Sequence, residues 1–297
     1  MAKYLDIFDV ENNIEFNKPV KAHFGYKTGG NAYGYIEVSN TNQLKRAILY
    51  LETKNLPYKI LGNGTNILLS DKGYDGVLIS LKKMNSIMRD GETKVKVCAG
   101  ANVNSLIDFC YNLGLSGLEE LYMIPATIGG AISMNASCFS TSISDCIEEV
   151  VVLRSKRLHK YSKKDCEFGY RTSRFLHTNE VIVSATFDFR FLEKDIIFAK
   201  KQSVKEKRNS TQPKGRSCGS VFKNGEGYFS AKLIDECGLK GTRIGGAYLS
   251  KKHANFIIAD KDCTSNDVYN LIGYVKEKVK EKFNVSLIEE IEYLGDF

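Results

Sequence analysis

The spacing of apolar positions changes repeatedly along this chain, and each change marks an element. From Thr41 to Lys54, Leu44, Ala47, Ile48 and Leu51 recur at three- and four-residue steps, which predicts a helix with one buried stripe. Asn102–Leu113 repeats that pattern through Val103, Leu106, Ile107 and Cys110, with Gly114 just beyond to stop it. Short apolar runs bounded by glycine-bearing turns predict strands at Tyr35–Val38, Tyr58–Leu61, Ile67–Leu69, Val77–Leu81, Lys94–Cys98 and Ile147–Leu153. The clearest two-residue alternation is Glu180–Phe191, where Val181, Val183, Ala185, Phe187, Phe189 and Phe191 share a face.

After Phe191 the character changes. A basic helix comes first, with Phe198 and Val204 set among solvated lysines and arginines. A loop rich in Gly, Ser and Pro leads to a strand near Val221 and a short helix around Ala231–Cys237, and Ala254–Ala259 reads as a strand. Thr264, with Asp267 three residues on, caps a long helix whose buried stripe is Val268, Leu271, Ile272, Val275 and Val279. Val285–Leu294 closes the chain as a strand. These elements predict an α+β chain that divides near residues 191–200.

Composition and charge narrow the function. Forty-two Lys+Arg against 35 Asp+Glu leave a formal charge of +7 on 297 residues, and eight of the basic residues fall between Lys194 and Arg216. No helix-turn-helix, RNA-recognition or zinc-finger signature accompanies them, so the excess suits a small phosphate-rich ligand better than nucleic acid. Asp6, Asp9 and Glu11 interrupt the start where a signal peptide needs an apolar core, and no apolar run approaches the ~20 residues of a membrane span. A soluble, cytoplasmic protein is expected. The eight cysteines contain no CxxC pair, which predicts reduced, mostly buried thiols and no metal site.

Two segments carry candidate chemistry. Leu61-Gly62-Asn63-Gly64-Thr65-Asn66 lies between two short strands, where glycines let backbone amides cradle an anion; a plain hairpin turn is the other reading. It lacks the third glycine and following helix of a dinucleotide fingerprint. The second segment runs from Ile124 through Pro125, Ala126, Thr127, Ile128, Gly129, Gly130 and Ser133 to Asn135, preceded by Gly114–Glu119. Its scarcity of charge suits either a buried turn or a loop wrapped around a flat cofactor bearing a pyrophosphate.

These segments, in this order, resemble those of the UDP-N-acetylmuramate dehydrogenase family, also called UDP-N-acetylenolpyruvoylglucosamine reductases. Its members are flavoenzymes of bacterial peptidoglycan synthesis, and so serve cell-wall biogenesis, cell shape and division. The resemblance runs from about Lys27 to Gly295. It includes Lys27-Thr28-Gly29-Gly30-Asn31-Ala32, the Leu61–Asn66 loop, Gly117–Asn135 and Phe168-Gly169-Tyr170-Arg171-Thr172-Ser173-Arg174-Phe175. It continues through Gln212-Pro213, Ser217–Asn224, Lys232–Asp235 and Ser250–Phe256. Two departures are Ala126, where the family usually has glycine, and Ala22-His23, where it has threonines.

The resemblance implies a FAD-binding domain of the vanillyl-alcohol oxidase type, made of two α+β subdomains, followed by a smaller α+β substrate domain. The expected blocks are an N-terminal segment 1–25, a FAD-binding domain 26–191 and a substrate-binding domain 192–297. Little room between Arg174 and Ser217 matches the shorter form without a substrate lid. The implied activity is NADPH-dependent reduction of enolpyruvyl-UDP-N-acetylglucosamine to UDP-N-acetylmuramate through non-covalent FAD. A monomer with no nucleic-acid or membrane partner is expected.

Residue roles carry over by position. Ser220 matches the proton donor, with Cys218 as runner-up two residues earlier. Arg171 matches the cation beside the developing enolate, where a guanidinium fork suits a carboxylate better than lysine does. Glu290 matches the catalytic glutamate by its spacing to Ile291 and Gly295, although alternation alone would equally admit Glu289. The expected FAD contacts are Gly62, Asn63, Gly64, Thr65, Asn66, Pro125, Thr127, Ile128, Gly129, Gly130, Ser133 and Asn135. Tyr170, Arg208, Lys223 and Asn224 are the expected substrate contacts, and the Lys251-Lys252 pair adds charge for pyrophosphates.

Overall fold

The computed structural model describes residues 10–297. The chain forms two compact units, neither continuous in sequence. The first contains residues 10–15, Tyr35–Asn63 and Leu78–Lys207; the second contains Phe16–Gly34, Gly64–Val77 and Arg208–Phe297. This differs from the consecutive blocks 1–25, 26–191 and 192–297. The physical reason lies in the second unit, where early and late segments are bonded together. Ile67–Leu69 pairs in parallel with Glu292–Leu294, and a Cβ on Gly25 would stand 2.5 Å from the Ser217 carbonyl oxygen and 2.9 Å from Cys218 Sγ.

The first unit is built on a five-stranded antiparallel sheet, in the order Arg157–Ser162, Ile147–Arg154, Val181–Asp188, Lys94–Cys98, Ile87–Arg89. Its middle strand is covered on both faces. Val181, Val183, Ala185 and Phe187 are buried as expected, but Ile182, Ser184 and Thr186 are buried too. The strand stops at Asp188, and Phe191 stands exposed on a separate two-residue strand, Arg190–Phe191. Helix α1 (Thr41–Thr53) starts at Asn40, whose side chain accepts from the N–H groups of Asn42 and Gln43. Helix α2 (Val103–Asn112) buries Val103, Leu106, Ile107 and Cys110.

One expected loop is a helix. Ile128–Ser133 forms α3, capped by the Thr127 hydroxyl, which accepts from the Gly130 N–H, and it lies against Lys94–Cys98 and Val181–Asp188. Helix α4 (Lys194–Thr211) is less solvated than its composition suggests. Its buried positions are Ile197, Lys201, Val204 and Arg208, whereas Phe198 is exposed. Lys201 is accommodated by Asp108 at 2.6 Å and by the rings of Tyr111 and Tyr122, at 4.8 and 4.7 Å.

The second unit packs helix α5 (Ser230–Glu236) and helix α6 (Ser265–Phe283) on an apolar core that includes Val221, Phe222, Ile257, Leu271, Val275 and Ile291. A small antiparallel sheet runs Arg243–Ile244, Ala247–Leu249, Ile257–Ala259. Thr264 and Asp267 form the expected capping box of α6, and Asn284 in the left-handed conformation ends it. The closing strand is shorter than Val285–Leu294: only Glu292–Leu294 is regular, preceded by an isolated bridge at Glu289. All eight cysteines are free, three of them buried. No helix among the described residues is long and apolar enough to cross a membrane.

Two predictions follow from capping and from a buried ion pair. Thr264→Ala removes the hydroxyl that accepts from the Asp267 N–H; it should cost about 1 kcal/mol, read as a lower denaturant midpoint. Glu180 has a side chain only 4% exposed and contacts Arg174 Nε at 3.1 Å and the Tyr161 hydroxyl at 2.5 Å. Burial alone would raise its carboxyl, but the Tyr161 and Arg174 hydrogen bonds override that and hold it below the usual range. A depressed pKa gives stability that is present above the unfolded value of about 4.3 and is lost as pH falls through the folded value. Glu180→Gln should therefore be less stable than the parent at pH 7, with the gap narrowing below about pH 4. Urea midpoints at pH 7, 5 and 3.5 check this; a gap independent of pH contradicts it.

Candidate active site

In the first unit the expected cofactor residues gather at the start of α3. An added Cβ on Gly62 would stand 2.4 Å from Thr127 Oγ1, so the loop touches the helix cap where only glycine fits. Asn63 ties the same loop to its neighbours, donating from Nδ2 to Asn102 Oδ1 at 3.0 Å and to the Pro125 carbonyl at 3.1 Å. The amides of Ile128 and Gly129 are spent inside the protein, on the carbonyls of Ala101 and Ala99 at 2.8 Å each. Gly129 is small because Ala99 lies 3.1 Å from where its Cβ would be, whereas Gly130 is exposed. Ala126, the departure from glycine, is not among the residues at positive φ, so its side chain imposes no backbone strain.

The far end of α3 holds a tight turn. Gly169 and Thr172 bridge each other, leaving Tyr170 and Arg171 at the tip, with Arg171 left-handed at φ 53°. Asn135 Nδ2 donates to the Gly169 carbonyl at 3.0 Å, and the Ser173 hydroxyl donates to the Ser133 carbonyl at 2.7 Å. Arg171 Nη1 donates to the Ser137 hydroxyl at 2.7 Å and to the Ser137 carbonyl at 3.1 Å. The guanidinium also lies 5.6 Å from the ring of Tyr170, which is 55% exposed. Ser133 and Asn135 thus have a structural task in aiming Arg171. Ser137 and Ser173 brace this turn, roles that sequence reasoning did not assign, because an isolated serine carries no pattern.

The second unit brings Ser220 and Glu290 onto neighbouring segments. Ser220 bridges Phe256, Phe222 bridges Glu289, and the Glu290 N–H donates to the Val221 carbonyl at 2.7 Å. The Asn255 side chain accepts from the Phe222 N–H at 2.9 Å and donates to the Phe222 carbonyl at 2.8 Å. Asn66 donates from Nδ2 to the Glu290 carbonyl at 3.0 Å and accepts the Glu292 N–H, so it fixes the backbone around Glu290. Gly64 is buried under His23, whose carbonyl would stand 2.3 Å from an added Cβ. Thr65 sits half-buried between these two residues.

The two alternatives raised by the sequence separate here. Gly219 at φ 76° breaks the extended alternation that would put Cys218 and Ser220 on one face. Cys218 is buried, its thiol donating to the Ile67 carbonyl, and burial pushes that thiol up to about 12. The Ser220 hydroxyl is half-buried and meets no hydrogen-bond partner among the described residues. Glu289 is committed to Lys276 on α6 at 2.7 Å. Asn224 uses its side-chain carbonyl on the Ser230 N–H at 3.1 Å, at the start of α5. Arg208 is buried on α4 with Nη1 on Gln212 at 3.2 Å, and Lys223 donates its main-chain N–H to Ile288.

These residues fit a flavin dinucleotide. Asn135 Oδ1 is buried with no hydrogen-bond partner among the described residues, an acceptor that a donor-bearing ring would satisfy. The Asn63 N–H likewise meets no acceptor among them, beside a glycine that opens the backbone to a phosphate.

Comparison with known proteins agrees with that chemistry. The profile of a FAD binding domain matches residues 32–156. The profile of the UDP-N-acetylenolpyruvoylglucosamine reductase C-terminal domain matches residues 211–294. The UDP-N-acetylenolpyruvoylglucosamine reductase of Listeria monocytogenes serovar 1/2a is 37% identical over 285 residues, 95% of each chain. That of Clostridium novyi is 36% identical over 298 residues, covering 100% of this chain and 95% of its own. The crystal structure of the Thermus caldophilus UDP-N-acetylenolpyruvylglucosamine reductase superposes with a TM-score of 0.82 at 32% identity, over 95% of this chain and 99% of that one. The chain belongs to the UDP-N-acetylenolpyruvoylglucosamine reductase family and is a FAD-dependent oxidoreductase.

Proposed function

We propose that this enzyme uses NADPH to reduce enolpyruvyl-UDP-N-acetylglucosamine to UDP-N-acetylmuramate in the cytoplasmic stage of peptidoglycan synthesis, with Ser220, Arg171 and Glu290 as its catalytic residues. The observation that carries the proposal is the Ser220 hydroxyl, which lies on a segment bonded on both sides and is met by no protein partner among the described residues. Held by the cofactor residues named above, FAD would supply the hydride chemistry that links NADPH to C3 of the enolpyruvyl group.

Everything else falls to side chains. Negative charge develops at C2 and spreads onto the adjacent carboxylate, and the Ser220 O–H donates its proton to C2. Arg171 offsets the developing charge with two parallel donors, held in direction by Ser137. Glu290, in its acid form, donates a hydrogen bond to the substrate carboxylate. Glu289 cannot share that work, because Lys276 takes its carboxylate. Gly62, Asn63, Gly64, Thr65, Asn66, Pro125, Thr127–Gly130, Ser133 and Asn135 build the cofactor cradle, part of it by direct contact and part by bracing the backbone. Tyr170, Arg208, Lys223 and Asn224 receive the sugar nucleotide.

Two measurements test this reading. Acid precipitation should release the flavin into the supernatant, because none of the cradle residues named above is a histidine or cysteine; colour retained in the pellet contradicts it. Stopped-flow kinetics separate the half-reactions. Ser220→Ala should leave flavin reduction by NADPH nearly intact and slow reoxidation by the enolpyruvyl sugar by at least ~10²–10⁴-fold. Arg171→Lys keeps charge but loses the fork, so kcat and kcat/KM for reoxidation should fall together. Normal turnover of Arg171→Lys at saturating substrate would make Arg171 a binding clamp instead.

A further inference from the structure

The small sheet of the second unit carries a basic cavity lined by Lys251 and Lys252, the pair expected to add charge for pyrophosphates, and by none of the catalytic residues or the expected contacts Tyr170, Arg208, Lys223 and Asn224. Register pairs Arg243 with Tyr248 and Tyr248 with Ile258, so the three share one face. Pro213 and Lys214 pass along that face, where a Cβ on Gly215 would stand 2.9 Å from Ile258. Lys251 and Lys252 leave the sheet directly after it. Together these residues enclose about 470 Å³, within the size range of small-molecule sites.

The charge in the cavity is only partly compensated. Arg243 is paired with Asp260 and lies 4.6 Å from the Tyr248 ring centroid. Lys252 donates to the Asn209 carbonyl, which orients the ammonium without neutralising it. Lys214 and Lys251 meet no carboxylate within 4.0 Å among the described residues, and the Lys251 stem crosses Gly241, 3.3 Å from where a Cβ would stand. Three cations therefore converge on one concavity with no counter-charge, an arrangement that concentrates field and favours a multivalent anion. Surface lysines on a convex face would instead spread apart into solvent.

We propose that this cavity is a phosphate site, binding the diphosphate of a nucleotide through Lys214, Lys251 and Lys252, with Tyr248 as its aromatic wall. The occupant is either the tail of a reactant nucleotide or a separate effector nucleotide, and the choice between them rests on the reaction proposed above. The phosphate affinity does not.

The test titrates purified holoenzyme with inorganic pyrophosphate at low ionic strength by calorimetry, where screening is weakest. The paired charge reversal Lys214→Glu with Lys251→Glu should weaken binding by at least ~10-fold, the equivalent of about 1.4 kcal/mol. Lys72→Glu with Lys164→Glu, exposed lysines outside the cavity, is the control for the same change in net charge. Thermal melts of all variants establish that they fold. No pyrophosphate binding by the parent, or equal binding by the paired variant and the control, overturns the site. The same variants in the two half-reactions then distinguish the sources. A raised KM for NADPH or for the UDP-sugar identifies a reactant tail. Unchanged half-reactions with lost binding of added UDP or ADP identify an effector site. Unchanged half-reactions and unchanged nucleotide binding overturn the nucleotide assignment. If the chain turned over neither reactant, the proposed function would fail while the pyrophosphate result still stood.

Discussion

One buried amide holds the candidate catalytic segment of the second unit. Asn255 is 3% exposed and binds both the N–H and the carbonyl of Phe222, while its own carbonyl accepts the Val221 N–H at 2.9 Å. The need for it comes from Gly219, whose left-handed conformation takes the chain out of a regular strand just before Ser220. A segment that leaves the ladder cannot satisfy its own polar groups, and each one buried without a partner costs about 1–3 kcal/mol. Asn255 resolves this from one side and the Glu289–Glu290 segment from the other. Ser220 is thereby fixed without spending its hydroxyl on the protein.

The first unit applies the same principle to a cation. Arg171 occupies the left-handed region, a conformation that costs a non-glycine residue of order 1–3 kcal/mol and persists only when neighbours impose it. Asn135 and Ser173 impose it by gripping the turn on either side of the tip, and Ser137 grips the guanidinium itself. A guanidinium with a fixed direction loses less entropy when it meets a carboxylate than one swinging on a free stem. Both candidate catalytic side chains are thus positioned by short polar residues acting on backbone, not by packing of their own bulk.

How much of this was legible in the sequence follows from which forces leave a periodic trace. The α6 capping box and apolar stripe were readable, because capping and amphipathic burial repeat at fixed spacings. The strand Arg157–Ser162 was not. Its hairpin turn places Ser155 and Lys156 at φ 45° and 66° with neither glycine nor asparagine to announce it. Helix α3 was hidden by Gly129 and Gly130, poor helix formers kept there by a close approach to Ala99 and an exposed position. Ser220, Arg171 and Glu290 were recognisable only through family resemblance. The residues that aim them, Ser137 and Asn255, act across 34 and 33 positions and leave no local signal.

The basic excess shows the same limit from the electrostatic side. Counting charges between Lys194 and Arg216 suggests one phosphate-attracting stretch, but the structure assigns those charges to different tasks. Lys201 is buried on Asp108 and two tyrosines, and Lys207 lies 3.8 Å from the ring centroid of Phe139. Each of these cations is held by groups of its own unit, so its field is largely used in holding α4 in place. What attracts a phosphate is charge that converges on a concave surface without a counter-ion. By that criterion Lys214, Lys251 and Lys252, residues well apart in sequence, form an effective positive site where the fold brings them around one cavity.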